Sequence, residues 1–217
     1  GYVSGNAQIK DLGLTNIVST ARKYVGGLIG VALNEVTISN CFTTGTCLSN
    51  TSPDWWTRLG GLIGENRGTI QSCYSSVNVS SDKGLVGNLV GINTGSIFDC
   101  YTNGSVTGNG GRTGGIAGQN NSQIKNCYSY STVSGTDYAG GLVGYNDSGS
   151  ATGCFWDKEA SGQTFNDGGG TGLTTAQMKE IKNYLQAGWD FMNETNTGSD
   201  DNWGINTSDN NGYPFLS

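Results

Sequence analysis

Chemistry in this 217-residue chain has to come from carboxylates, thiols or aromatic faces, because it contains no histidine. That absence removes His-ligated zinc and the usual Ser–His or Cys–His nucleophile pairs. The carboxylates include Glu65, Asp82, Asp99, Asp137, Asp147 and Asp157, with Asp200, Asp201 and Asp209 near the end. Paired carboxylates hydrolyse glycosides, and clustered ones with Ca²⁺ and a Lys or Arg base cleave polysaccharides. The tail acids lack the Asp/Asn/Gly spacing of an EF-hand loop, so a solvated acidic turn is expected there, with no metal site and no cofactor. Six cysteines complete the reactive set, and their spacing says what they are for.

Five of them stand at 41, 73, 100, 127 and 154, with gaps of 32, 27, 27 and 27 residues, and Leu12 extends the series backwards. Three residues before each come Ile9, Ile38, Ile70, Ile97, Ile124 and Ala151; six residues after come Val18, Cys47, Val79, Val106, Val133 and Ala160. Upstream recurs a glycine-framed apolar pair, as in Gly26-Gly27-Leu28-Ile29-Gly30, followed by Asn34, Asn66, Asn93, Asn120 and Asn146. Each copy holds three short β-type segments between Gly, Asn, Ser and Thr turns. Such a unit cannot bury a core alone and has to stack on its neighbours. The expected fold is therefore all-β: a parallel β-helix of about six three-strand coils, roughly 29 Å tall at ~4.8 Å per layer.

In that register like residues lie above one another. Leucine and cysteine share an interior column because both act there as apolar filler. Disulfides between layers are within reach of the Cα spacing, but in-register Cβ atoms stay too far apart, so buried thiols are preferred. The asparagine column is expected to form a ladder of stacked amides. Phe42, Tyr74, Tyr101, Tyr128 and Phe155 follow the cysteines and, with Cys inward, form an outward aromatic stripe. Ile and Cys can both face inward only if the chain bends between them. The carboxylates fall at unlike positions of the repeat, so no column of them lines up for catalysis.

The repeat breaks once. Between Cys47 and Gly60 lie about five more residues than in other copies, within 48–59. Insertions in repeat proteins map to surface loops and often mark a binding face. Here Asp54, Trp55, Trp56 and Arg58 are the candidate binding residues: indoles stack on sugars or anchor a protein contact, with Asp54 and Arg58 as polar anchors. The other reading is that the tryptophans fold back on the coil as a satellite cluster.

Residues 140–146 (Gly-Gly-Leu-Val-Gly-Tyr-Asn) and 124–129 (Ile-Lys-Asn-Cys-Tyr-Ser) resemble the GLUG repeat, a motif of large secreted or surface-attached bacterial proteins, including non-catalytic regions of immunoglobulin A1 metallopeptidases. The resemblance covers residues 7 to about 160, and the closing segment resembles the usual end of such arrays. It implies a secreted or cell-surface location and an adhesive or stalk role. The peptidase's H-E-x-x-H motif needs histidine, so proteolysis does not carry over.

The repeat region is expected over 1–165, with a cap over 166–217. Thr174-Thr175-Ala176-Gln177 reads as a capping box and Gly188 as a C′ stop. Met178, Ile181 and Leu185 then share one helix face. With Trp189, Phe191, Trp203, Ile205 and Phe215 that face would cover the last open layer. Residues 1–5 read as the tail of an earlier coil, so flanking domains of a longer chain are expected. Net charge is −6, with no basic run beyond Arg22-Lys23, which argues against a nucleic-acid partner. No apolar stretch approaches the ~18 residues of a membrane span. The expectation is a non-enzymatic extracellular module whose partner is a host-surface protein or a glycan. The alternative is a carbohydrate-binding or polysaccharide-processing β-helix domain.

Overall fold

The computed structural model describes residues 1–49, 54–167, 169–193 and 201–217. Each full coil runs through three parallel sheets, of 6, 14 and 5 strands. One coil shows the pattern: Arg58–Gly60, Ile63–Asn66, Thr69–Gln71 and Tyr74–Ser81, the last two strands in the same sheet. A parallel β-helix is what the repeat predicted.

The isoleucine column pairs in register from Ile9 through Ile38, Ile70, Ile97 and Ile124 to Ala151. It packs with Cys41, Cys73, Cys100, Cys127 and Cys154 into the main core. The bend that lets both columns face inward lies immediately before each of these cysteines, and before Leu12 in the first copy. Asp11, Asn40, Ser72, Asp99, Asn126 and Gly153 all take the left-handed conformation, with φ between 49° and 61°. Asp, Asn and Gly tolerate that region best. The glycine that closes the tight corner between sheets is equally constrained: a Cβ on Gly60 would lie 2.1 Å from the Ile63 carbonyl oxygen.

All six thiols are free and buried, and they do more than fill space. The backbone N–H of Cys73 donates to Cys100 Sγ at 3.4 Å, while Cys73 Sγ donates to the Gln71 carbonyl at 3.1 Å. The same pair recurs at Cys41, Cys100 and Cys127. The left-handed bend leaves the buried cysteine N–H to the sulfur of the next coil, an acceptor leucine could not supply. The carbonyl that takes the thiol proton also accepts a backbone N–H, as Gln71 does from Asn40 at 3.2 Å. A second core holds Val25, Cys47, Leu59, Val77, Val79, Val86 and Val106.

Three columns depart from expectation at their ends. Leu12, expected at the head of the interior cysteine column, is 39 % exposed and lies outside the core. Val18 is 80 % exposed, because a register shift after Leu14 places Ser19, not Val18, opposite Cys47. Ala160 lies in a short helix, α1 (Lys158–Ser161), that replaces the third segment of the last copy. The amide ladder runs Asn66 to Asn93 to Asn120 to Asn146 at 2.9, 2.9 and 3.1 Å. Asn34 is not in it: Ala32 pairs with Asn66, and Asn34 sits exposed in the turn beyond.

The last coil is closed by residues that imitate a further layer. Asn166 Oδ1 accepts from the N–H groups of Leu142 and Val143 at 2.9 and 2.6 Å, and Asp167 Oδ2 accepts from Asn146 N–H at 2.9 Å. The strand Gly169–Leu173 pairs in parallel with Ser150–Asp157. The expected helical lid lies elsewhere. Its capping box forms, but the helix breaks at Glu180 into α2 (Thr175–Met178) and α3 (Ile181–Leu185). The break turns Tyr184 rather than Ile181 inward, and the Tyr184 hydroxyl donates to the Met178 carbonyl at 2.6 Å.

This segment packs along the flank of the solenoid, over the aromatic stripe. The stripe stacks at 4.8, 4.8 and 5.3 Å from Phe42 to Tyr128. Its Tyr101, Tyr128 and Phe155 form one buried cluster with Met178, Tyr184, Trp189, Phe191, Trp203 and Tyr213. The stripe does face away from the coil interior, but a second apolar layer buries three of its five rings.

Two outcomes test this account. Burial pushes the Cys47 thiol up to about 12 and raises those of Cys100, Cys127 and Cys154. Thiol titration of the native protein at pH 8 should therefore find almost no reaction, and close to six equivalents after unfolding. Because the folded pKa is raised, the stabilisation from neutral Cys47 is full below about pH 9 and is lost between about 9 and 12. Separately, Trp189→Ala should cost about 3–5 kcal/mol in urea unfolding, since the indole is fully buried and donates to the Gly153 carbonyl.

Candidate functional site

The insertion ends in a tight turn that Asp54 organises. Its carboxylate accepts from Trp56 N–H at 2.9 Å, its own N–H donates to Thr57 Oγ1 at 3.1 Å, and its carbonyl accepts from Thr57 N–H at 3.0 Å. Thr57 is buried and donates to the Arg22 carbonyl, which anchors the turn to the coil before it. The turn projects both indoles into solvent: Trp55 is 63 % and Trp56 67 % exposed. They do not fold back into a satellite core. The first part of the insertion, Asn50 to Pro53, lies outside the described residues, as does Asp200.

Trp55, Trp56 and Arg58 line one end of a groove of ≈ 510 Å³, and Asp137 with Tyr138 line the other. Asp54 holds the turn but does not line it. The groove is built from two columns of neighbouring sheets. One runs Tyr24, Arg58, Leu85, Arg112, Tyr138. The other runs Val31, Glu65, Ile92, Gln119, Tyr145.

Partners seven residues apart meet across the columns. Arg58 Nε and Glu65 Oε2 form an ion pair at 2.9 Å without in-line hydrogen-bond geometry. Leu85 and Ile92 share the groove floor, Arg112 donates to Gln119 Oε1, and Tyr138 meets Tyr145 edge-on at 5.3 Å. Arg112 also stacks on Tyr145, 3.8 Å from its ring centre, and Arg58 stands 5.2 Å from that of Tyr24.

Glu65 is 3 % exposed and held by Arg58 and by Arg67, the latter at 2.5 Å. Asp157, also buried, caps α1 and accepts from the Tyr213 hydroxyl at 2.6 Å. These two carboxylates therefore already have structural partners. Among the described residues no group of three or more Cys, Asp or Glu is placed to hold a metal ion. No helix among them is long and apolar enough to cross a membrane.

The insertion was legible in the sequence; Leu85, Ile92, Arg112, Gln119 and Tyr138 were not singled out. Their signal is inverse to that of the core. They flank the glycine pair seven residues apart and change type from copy to copy, where the interior columns do not.

No protein-family model and no curated protein matches the chain. Among solved structures, the chain is similar to the crystal structure of a putative immunoglobulin A1 protease from Bacteroides ovatus. The TM-score is 0.70 at 21 % identity, over 97 % of this chain and 68 % of that one. At that identity the likeness is one of fold.

The buried ion-pair centre makes a stability prediction. Glu65→Ala leaves the largely buried Arg58 without its counter-charge, so urea unfolding should show a loss of roughly 3 kcal/mol, the low end for breaking a buried pair because Arg67 is half solvated.

Proposed function

We propose that this chain is a non-catalytic, extracellular β-helical module of a bacterial surface protein that binds through the groove beside Trp55 and Trp56. The observation that carries this reading is the exposure of two adjacent indoles on the one long departure from the repeat, at the mouth of an apolar groove. Monomeric surfaces seldom leave such aromatic area uncovered without use. The GLUG-like repeat and the fold shared with a protein described as an immunoglobulin A1 protease support a surface-protein setting. The carboxylate partners described above support binding rather than hydrolysis, since Glu65 and Asp157 serve as structural anions. The stacked ladders also suit a rigid stalk, and adhesion and spacing are compatible in one module.

The test is the double variant Trp55→Ala/Trp56→Ala. Its melting curve should stay close to that of the parent, since exposed substitutions usually cost within about 0.5 kcal/mol. Binding of the labelled protein to a panel of glycans and host-surface proteins should be lost. A variant that binds as the parent does, or that loses several kcal/mol of stability, would show that the indoles serve packing alone.

A further inference from the structure

We propose that the groove takes an acidic oligosaccharide carrying one carboxylate for every two sugar units, laid along the solenoid axis across consecutive coils. This rests on the groove being the binding face, and it adds the chemistry and direction of the ligand.

The direction follows from the two columns. Their residues repeat at the coil spacing of ~4.8 Å, so an extended ligand running along the axis meets a new pair at each step. Those pairs alternate: Arg58 with Glu65, then Leu85 with Ile92, then Arg112 with Gln119. A guanidinium therefore appears at every second coil with an apolar step between, a separation of roughly 9.6 Å, about the span of a disaccharide. Exposed aromatic rings stand at both ends, Trp55 and Trp56 at one and Tyr138 at the other. Aromatic faces pack on the apolar faces of sugar rings and leave the rim polar.

Charge selects the acidic class. Three of the four arginines of a chain with net charge −6 stand on or beside this groove. Arg58 and Arg112 line it, and Arg67 holds Glu65 beside it. Each guanidinium has five N–H donors in a planar fork suited to carboxylate. Arg58 contacts Glu65, Tyr24 Oη and the Trp56 carbonyl, and Arg112 contacts Gln119, so donors remain on both. Burial of Glu65 beneath two arginines leaves Asp137 as the exposed carboxylate of the lining, beyond Arg112 at the tyrosine end. An added peptide strand is a poorer fit. The backbones of the groove's inner strands are already paired on both sides by neighbouring coils, so the groove offers a peptide no strand edge.

The experiment uses the full chain and follows tryptophan fluorescence and calorimetric heat. The probes are a hyaluronan octasaccharide (one carboxylate per disaccharide), an oligogalacturonate of equal length (one per sugar), neutral cello-oligosaccharide, and poly-glutamate. The hyaluronan probe should bind, at least tenfold tighter than the neutral sugar, with affinity falling as salt rises. Arg112→Gln should reduce that affinity about tenfold and abolish the preference over the neutral sugar, while the melting temperature holds. The Trp55→Ala/Trp56→Ala variant should lose binding of either sugar.

Equal affinity for neutral and acidic sugars would overturn the role of the arginines, and tighter binding of oligogalacturonate would overturn the alternation. Binding of poly-glutamate alone, if lost in the tryptophan variant, would overturn the sugar class and leave the groove as the binding face. Sugar binding unaffected by the tryptophan variant would overturn the groove itself.

Discussion

A strand that pairs only with its counterpart in the next coil cannot satisfy its own amides, so every coil depends on the layer above and the layer below. The rest of the molecule follows from that in-register stacking. It forces like residues into columns: isoleucine and cysteine in the core, asparagine amides in a ladder, aromatic rings in a stripe. It also favours backbone features that recur from coil to coil. The left-handed residue before each cysteine of that column, and before Leu12 in the first copy, is such a feature, present in all six copies. Cysteine is the residue that makes this bend stable inside a core. It is small and apolar, yet its sulfur accepts a buried N–H that would otherwise lack a partner and shares a carbonyl already held by a backbone N–H.

The same dependence makes the termination of the stack a chemical problem. The last coil presents N–H groups with no following layer. Asn166 and Asp167 supply side-chain oxygens at the positions where carbonyls of a seventh layer would lie, and a short parallel strand completes the edge. That frees the aromatic C-terminal segment for the flank, where it removes Tyr101, Tyr128 and Phe155 from water. Here termination and burial of the stripe are separate tasks carried by separate stretches of chain.

Stacking also explains where variety can sit. Interior columns are monotonous because each position has the same neighbours above and below. The outward column pairs at the corner between two sheets are free of that demand, and they differ at each step: Arg/Glu, Leu/Ile, Arg/Gln, Tyr/Tyr. The inserted turn with Trp55 and Trp56 opens on this variable strip. A regular scaffold thereby presents an irregular surface at a fixed pitch, which is the arrangement a repeating ligand would match.

By itself the sequence determined the period, the solenoid, the inward columns and the place of the insertion, because those depend on residue type recurring at constant spacing. It could raise the question of how Ile and Cys both turn inward, three residues apart, but not answer it. The answer is a φ value at the intervening residue, which no composition reports. It pointed to a single helix over the last coil. Only the tertiary structure decided that the helix breaks at Glu180 and that its aromatic partners run along the flank, since the stripe they cover exists only once five coils have stacked. The groove belongs to the same class. Arg58 and Arg112 are 54 residues apart in sequence and become neighbours but one when three coils align. Local pattern carries what a residue does within its own coil; what it does with residues of other coils is set by register, and register is a property of the folded stack.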